Sequence, residues 1–208
     1  MKVYGSEMLV FVADAAVESH GGMGYSSEMA VERGYRDSRI NRIFEGTNEI
    51  NRILLVDTAM KRAMKGDFDL FGEAEKLASD LASIVVEHPA GNDLFEEKMS
   101  YIRNFKKVAL LAINAASKEY GKRLVYEQEV LLNISDIMTE IYITESLALR
   151  FKKLEQLQGD AGLAGDILDV YTYDIAARIN KLATDAFNSL SETGNISLYL
   201  EKIGELTT

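Results

Sequence analysis

The sequence predicts an all-α protein built as one or more helical bundles, on three observations. A single proline, Pro89, occurs in 208 residues, and proline is the residue that helix interiors exclude most strongly. The good helix formers Ala, Leu, Glu and Lys are abundant. Apolar residues recur at three- and four-residue spacing through most of the chain.

The first helix is predicted over residues 3–18, where Met8, Leu9, Phe11, Val12, Ala15 and Ala16 share a face and Gly21 and Gly22 supply the stop. From 21 to 42 the helical pattern weakens into a glycine- and charge-rich passage. A second helix is predicted over 47–65. Thr47 caps it, Glu49 suits the positive end of its dipole, and Lys61, Arg62 and Lys65 suit the negative end before Gly66 stops it. A helix follows over 68–86, then a turn over 87–92 that holds Pro89. Met99, Ile102, Phe105, Ala109, Ala112 and Ala116 mark the next amphipathic stripe. A long helix over 126–157 runs through Leu131, Ile134, Ile137, Met138, Ile141, Leu147, Phe151 and Leu154. A loop over 158–162, a helix over 167–190 and a short helix over 197–203 complete the chain. Such short connections imply an antiparallel bundle.

Composition removes several classes of function. There is no cysteine, so disulfide scaffolds, thiolate catalysis and Cys-based metal centres are excluded. Only His20 and His88 are available as imidazole ligands, without further ligands at metal spacing, so no metal site is predicted. A net charge of −10 argues against nucleic acid, whose phosphates need clustered cations. No apolar run approaches the ~20 residues of a membrane span, and no basic-then-apolar signal opens the chain, so secretion is disfavoured. The charge is uneven: residues 1–66 hold nine basic and nine acidic side chains, so the whole −10 lies beyond Gly66. Two units are therefore expected, 1–66 and 67–208.

Chemistry concentrates between Gly21 and Ile50. Gly21, Gly22 and Gly24 could admit a phosphate or ribose close to the backbone, or could form only a helix stop and a turn. They follow a helix and lack the GxGxxG spacing, so the dinucleotide-binding βαβ reading fails. Arg33, Arg36, Arg39 and Arg42 recur every three residues with Glu32 and Asp37 interleaved, a stripe that could hold a polyanion or pair with carboxylates at an interface. Glu45 stands between Ile43-Phe44 and Gly46-Thr47, just before a helix. Apolar surroundings penalise a charged carboxylate and make it a stronger base. Gly46 removes a side chain where a substrate would approach, and amides at a helix start are free to meet a polarised group. On residue types alone, an ordinary solvated glutamate near a helix start is the stronger reading.

Three linked motifs change that balance: Gly21-Gly22-Met23-Gly24-Tyr25, then residues 31–40 (VERGYRDSRI), then residues 42–52 (RIFEGTNEINR). In order, spacing and identity they resemble the C-terminal signature of acyl-CoA dehydrogenases. The match is close over 1–66, while 67–208 resembles, by position and composition, the extra helical domain of the very-long-chain branch. The resemblance implies the end of that family's C-terminal helical domain, followed by a second, acidic helical bundle. It implies Glu45 as the base that removes the α-proton of a fatty acyl-CoA while the β-hydride passes to N5 of FAD, with the Glu45 amide polarising the thioester carbonyl. Gly46 would border substrate, Thr47, Asn48 and Glu49 would contact FAD, and the stretch from Glu18 through Gly21 and Gly22 would reach the FAD of a neighbouring subunit. Glu18 stands where the family usually has Gln, and a carboxylate donates a hydrogen bond only when protonated.

The same resemblance implies a homo-oligomer that passes electrons to an electron-transfer flavoprotein, in a bacterial cytoplasm or a mitochondrial matrix. The family's N-terminal helical domain and central β-domain have no counterpart in these residues. The chain is accordingly expected to be a fragment, inactive and flavin-free alone. The alternative is a non-catalytic helical module in which 67–208 mediates oligomerisation or docking. Contact of that segment with anionic lipid is opposed by its charge, although an apolar helix face could still dock.

Overall fold

The computed structural model describes residues 1–89, 91, 93–159, 161–190 and 196–208. Ala90 and Asn92 of the expected 87–92 turn, and Asp160 of the expected 158–162 loop, lie outside the described residues. The described residues form α1 (Lys2–Ser19), α2 (Ala30–Ile40), α3 (Asn48–Met64), α4 (Leu70–Ser79), α5 (Leu94–Tyr120), α6 (Gln128–Gln158), α7 (Gly162–Asn188) and α8 (Ile196–Leu206), with no strand. The all-α expectation holds. The chain divides into two compact units, Met1–Leu55 and Val56–Thr208.

In the first unit α1 stops as expected, with Gly21 in the left-handed region at φ +58°, directly after His20, whose Nδ1 donates to the Ala16 carbonyl. Gly21–Tyr25 then forms a short 3-10 turn, the helix stop and turn that was one of the two readings of these glycines, and Gly24 is why it packs tightly. A Cβ at Gly24 would stand 2.4 Å from the Val17 carbonyl oxygen. The 21–42 passage also contains a full helix, α2, which the apolar pattern does not announce. Its one buried residue is Ser38, whose hydroxyl donates to the Tyr35 carbonyl, so the inward-facing position carries no apolar mark.

The start and stop of α3 follow the sequence closely. The Thr47 hydroxyl accepts from the Ile50 amide at 3.2 Å. At the other end Gly66 takes φ +85°, its amide bonds to the Ala63 carbonyl, and the Asp67 amide reaches back to Arg62. That pair of bonds is the Schellman arrangement, which satisfies carbonyls the helix leaves open.

The second unit is organised around α5, which packs against α4, α6, α7 and α8, while α6 and α7 pack on each other. Ile102, Phe105, Leu111, Ile134, Ile137, Leu168, Ile179, Phe187, Ile203 and Leu206 are fully buried, each worth about 1.5–3 kcal/mol of hydrophobic transfer. The helix expected over 68–86 is shorter. It ends at Ser79, and Asp80 caps a 3-10 turn over Leu81–Ser83 by accepting from the Ser83 amide. The chain then runs extended to Glu87, whose amide and carbonyl both pair with the buried side chain of Asn104 at 2.9 Å. Helix α7 begins five residues before the expected 167. Gly162, the last residue of the expected loop, is the first of α7, and Gly165 within the helix is a contact point. A Cβ there would press to 3.2 Å of both Leu94 and Phe151.

Candidate functional site

The stretch from α2 to α3 turns on two consecutive residues in the left-handed region, Glu45 at φ +56° and Gly46 at φ +77°. Glu45 is the only described non-glycine residue with positive φ. Such a conformation costs an L-residue roughly 1–2 kcal/mol, and it persists only where neighbouring groups hold it. The carbonyls of Glu45, Gly46 and Thr47 supply the hold. All three accept from Nδ2 of Asn51, at 3.3, 2.7 and 3.0 Å. Nζ of Lys2 also donates to the Gly46 carbonyl at 2.8 Å. The amides of Glu45, Gly46 and Thr47, by contrast, meet no acceptor among the described residues. Three donors therefore face outward beside one carboxylate, the kind of backbone concavity that receives an oxyanion or a polarised carbonyl.

Behind this loop lies a buried polar brace joining α1 to α3. Asn48 is completely buried. Its side chain accepts from Lys2 Nζ at 2.8 Å and donates to Ser6 at 2.9 Å and Glu7 at 3.2 Å. Arg52 grips Glu7 with two parallel bonds, 2.8 and 2.9 Å. Burial works against ionisation of Glu7, but the bonds from Arg52 and Asn48 and the nearby Arg42 charge hold its carboxyl below the ordinary carboxylate range. A lowered folded pKa means the contribution is present above the ordinary value of 4.5 and is lost as pH falls through the folded value. Hydrogen exchange of the α3 amides, corrected for the intrinsic pH dependence of amide exchange, is therefore expected to speed up below about pH 4.5 in the native chain. In Glu7→Gln it is faster at neutral pH and loses that acid-side step.

The sequence-predicted site residues are placed as follows. Glu45 and Gly46 sit at the tip of the loop, both exposed. Of the two readings of residue types, solvated or enclosed by apolar neighbours, this unit shows the solvated one, with Ile43 and Phe44 beside Glu45 half exposed. Thr47 spends its hydroxyl on the helix cap. Glu49 is exposed in the first turn of α3, and bonds from its own amide and from Thr47 keep its carboxyl below the usual range. Asn48, expected to contact FAD, carries its side chain inward. Its side chain is committed to Lys2, Ser6 and Glu7, and its amide bonds to the Arg42 carbonyl, leaving it an internal brace. Glu18, Gly21 and Gly22 are exposed together at the end of α1, and a Cβ at either glycine would meet nothing within 4 Å. Of the arginine stripe, Arg36 pairs with Glu32 at 3.0 Å.

Sequence reasoning missed Lys2, Ser6, Glu7, Asn51 and Arg52. Asn51 had a local signal, lying four residues after the cap and so facing back over the loop. Lys2, Ser6 and Glu7 had none, being more than 40 residues distant along the chain. No group of three or more potential metal ligands occurs among the described residues. None of their helices is long and apolar enough to cross a membrane.

Comparison with known proteins places this geometry. Two family models, both described as "Acyl-CoA dehydrogenase, C-terminal domain", match residues 1–60 and 104–204. The chain belongs to the acyl-CoA dehydrogenase family. A probable acyl-CoA dehydrogenase of Bacillus subtilis is 38% identical over 208 residues, which span 99% of this chain and 35% of that protein. The human mitochondrial very long-chain specific acyl-CoA dehydrogenase is 30% identical over 202 residues, 86% of this chain and 30% of that one. The crystal structure of an acyl-CoA dehydrogenase complexed with FAD from Bacillus anthracis superposes with a TM-score of 0.92 at 36% identity. That match covers all of this chain and 35% of the other. The chain thus spans about a third of the length of these relatives.

Proposed function

We propose that this chain supplies the α-proton base and part of the cofactor surface of an FAD-dependent acyl-CoA dehydrogenase acting on fatty acyl-CoA. The observation that carries the reading is the left-handed Glu45-Gly46 pair, which sets a carboxylate beside three unpartnered amides. Glu45 takes the α-proton, and its amide donates to the thioester carbonyl so that charge developing on that oxygen is stabilised as the proton leaves. Gly46 keeps the approach to the carbonyl clear. The stretch contains no cysteine, so thiolate chemistry does not compete with the base there.

FAD, when bound, supplies the hydride acceptor at N5. The residues present fit such a group: Gly21 and Gly22 leave open space at an exposed helix end, and Thr47 and Glu49 lie in the first turn of α3 beside the base. Asn48 serves through the brace. Acyl chain and isoalloxazine together would provide the desolvation of Glu45 that this unit does not.

The division of labour proposed is 1–66 for catalysis and 67–208 as an appended helical domain. Electron-transfer flavoprotein as acceptor, a homo-oligomeric state, and a bacterial cytoplasmic or mitochondrial matrix setting belong to the same proposal. A second reading, a docking or oligomerisation role for 67–208, is favoured by Leu163, Ile167, Val170 and Tyr173, which expose one apolar stripe along α7.

Spectroscopy separates the two. The flavin-loaded enzyme is expected to be reduced by a fatty acyl-CoA, whereas the 208-residue chain purified alone is expected to be colourless and inert. Bound flavin on that chain would contradict the proposed split. Self-association without flavin reduction would favour the second reading.

A further inference from the structure

The Glu45-Gly46 turn does not hold itself. Its peptide planes are trans, so each carbonyl and the amide of the following residue point to opposite sides. Drawing the Glu45 carbonyl inward turns the Gly46 amide outward, and drawing the Gly46 carbonyl inward does the same for Thr47. Two side chains do the drawing. Asn51 reaches all three loop carbonyls with one nitrogen, 2.7 Å from that of Gly46, and packs against the bare Cα, where a Cβ would come to 3.0 Å of Nδ2. Lys2 reaches the Gly46 carbonyl from the first turn of α1, and its ammonium is shared with the buried Asn48 oxygen at 2.8 Å. Asn48 in turn is locked through Ser6, Glu7 and Arg52.

We propose that Lys2 and Asn51 are positioning residues of the base, clamping the carbonyls of the Glu45-Gly46 turn so that the Glu45 carboxylate and the adjacent amides are presented together. This rests on the reading of Glu45 as the α-proton base. Neither side chain touches substrate; both act by fixing a backbone conformation that Glu45 would not adopt unaided. Lys2 does so from α1, which makes the aim of the base depend on the packing of α1 against the start of α3.

The geometry makes the two clamps distinguishable. Asn51→Asp keeps size and shape but replaces the amide donor with an acceptor facing three carbonyls. Lys2→Met keeps the aliphatic stem and removes the ammonium, while Lys2→Arg restores a cationic donor of similar reach. Lys2 lies at the end of α1, so Lys2→Met leaves the apolar core untouched, and it carries the test should Asn51→Asp fail to fold.

The test uses the flavin-loaded holoenzyme with a saturated fatty acyl-CoA, together with amide hydrogen exchange across residues 44–52. Lys2→Met and Asn51→Asp are each expected to lower kcat by about 10- to 100-fold, the scale of a misplaced catalytic group. KM is expected to stay within about two-fold, flavin to be retained, and the amides of 48–51 to exchange faster. Lys2→Arg is expected to recover most of the kcat. Unchanged kcat in Lys2→Met, or the same loss in Lys2→Arg as in Lys2→Met, overturns the positioning role. A control separates the two levels: if Glu45→Gln abolishes turnover while the clamp variants do not reduce it, the clamp fails and the base reading stands. If Glu45→Gln retains turnover, the base reading itself fails.

Discussion

Glu45→Gln is expected to lower turnover of a fatty acyl-CoA by about 10³- to 10⁴-fold while leaving flavin bound, because it removes the proton acceptor and nothing that shapes the loop. The backbone argues for that separation. The left-handed turn is held through the carbonyls of residues 45–47, and the side chain of Glu45 is exposed and takes no part in the clamp. An amide of equal size therefore preserves the outward-facing donors, and with them carbonyl polarisation and substrate binding. Glu45→Asp is expected to fall between, since the carboxylate remains but is withdrawn by one methylene. Steady-state turnover with a parallel flavin spectrum measures both quantities. Near-native turnover in Glu45→Gln would remove the base assignment, and loss of flavin would show that Glu45 does structural work.

Glu140→Ala is expected to be among the most destabilising single changes in the second unit, by roughly 3 kcal/mol. Glu140 is almost wholly buried on α6. It accepts from Tyr171 at 2.9 Å and pairs with Arg178 at 2.9 Å, both on α7. Truncation removes the carboxylate that accepts from Tyr171 and opens a cavity beside Ile137 and Ile141, which share the buried face of α6. Arg178 is about half exposed and can turn to water, which keeps the loss toward the lower end for a broken buried pair. Urea denaturation of the chain, read by far-ultraviolet circular dichroism, measures the change. A loss under 0.5 kcal/mol would mean that water replaces the carboxylate at no cost.

What could be read from sequence was what short-range physics decides. Thr47 caps α3 and Gly66 ends it because each acts on amides or carbonyls within a few residues. The stripe from Ile102 to Ala116 lies buried because helical period and burial coincide there. Helix α2 escaped because its buried position is Ser38, and the break after Ser79 escaped because Asp80 and the distant Asn104 compete with helix for the same backbone.

The candidate site divides along the same line. Glu45 was identified through motif resemblance; residue types alone favoured an ordinary solvated glutamate near a helix start, and in this unit the side chain is exposed. The positive φ of Glu45 is imposed by Asn51, six residues on, and by Lys2 from the far end of the unit, so only part of its cause lies near it in sequence. Asn48 shows the converse. The resemblance implies contact with FAD, and folding makes it the most buried polar side chain of the first unit. In the first 55 residues only Ser6, Gly24, Ser38 and Asn48 are buried, so that unit is held by polar contacts rather than by an apolar core of its own.

The most direct measurement follows the proton. An acyl-CoA analogue with no hydrogen at the β-position cannot lose hydride, so its chemistry stops at removal of the α-proton. Incubated in deuterium oxide with the flavin-loaded enzyme and read by mass spectrometry, it is predicted to take up deuterium at the α-carbon with the native protein and not with Glu45→Gln. Equal uptake by both proteins would contradict the assignment of Glu45 as the base.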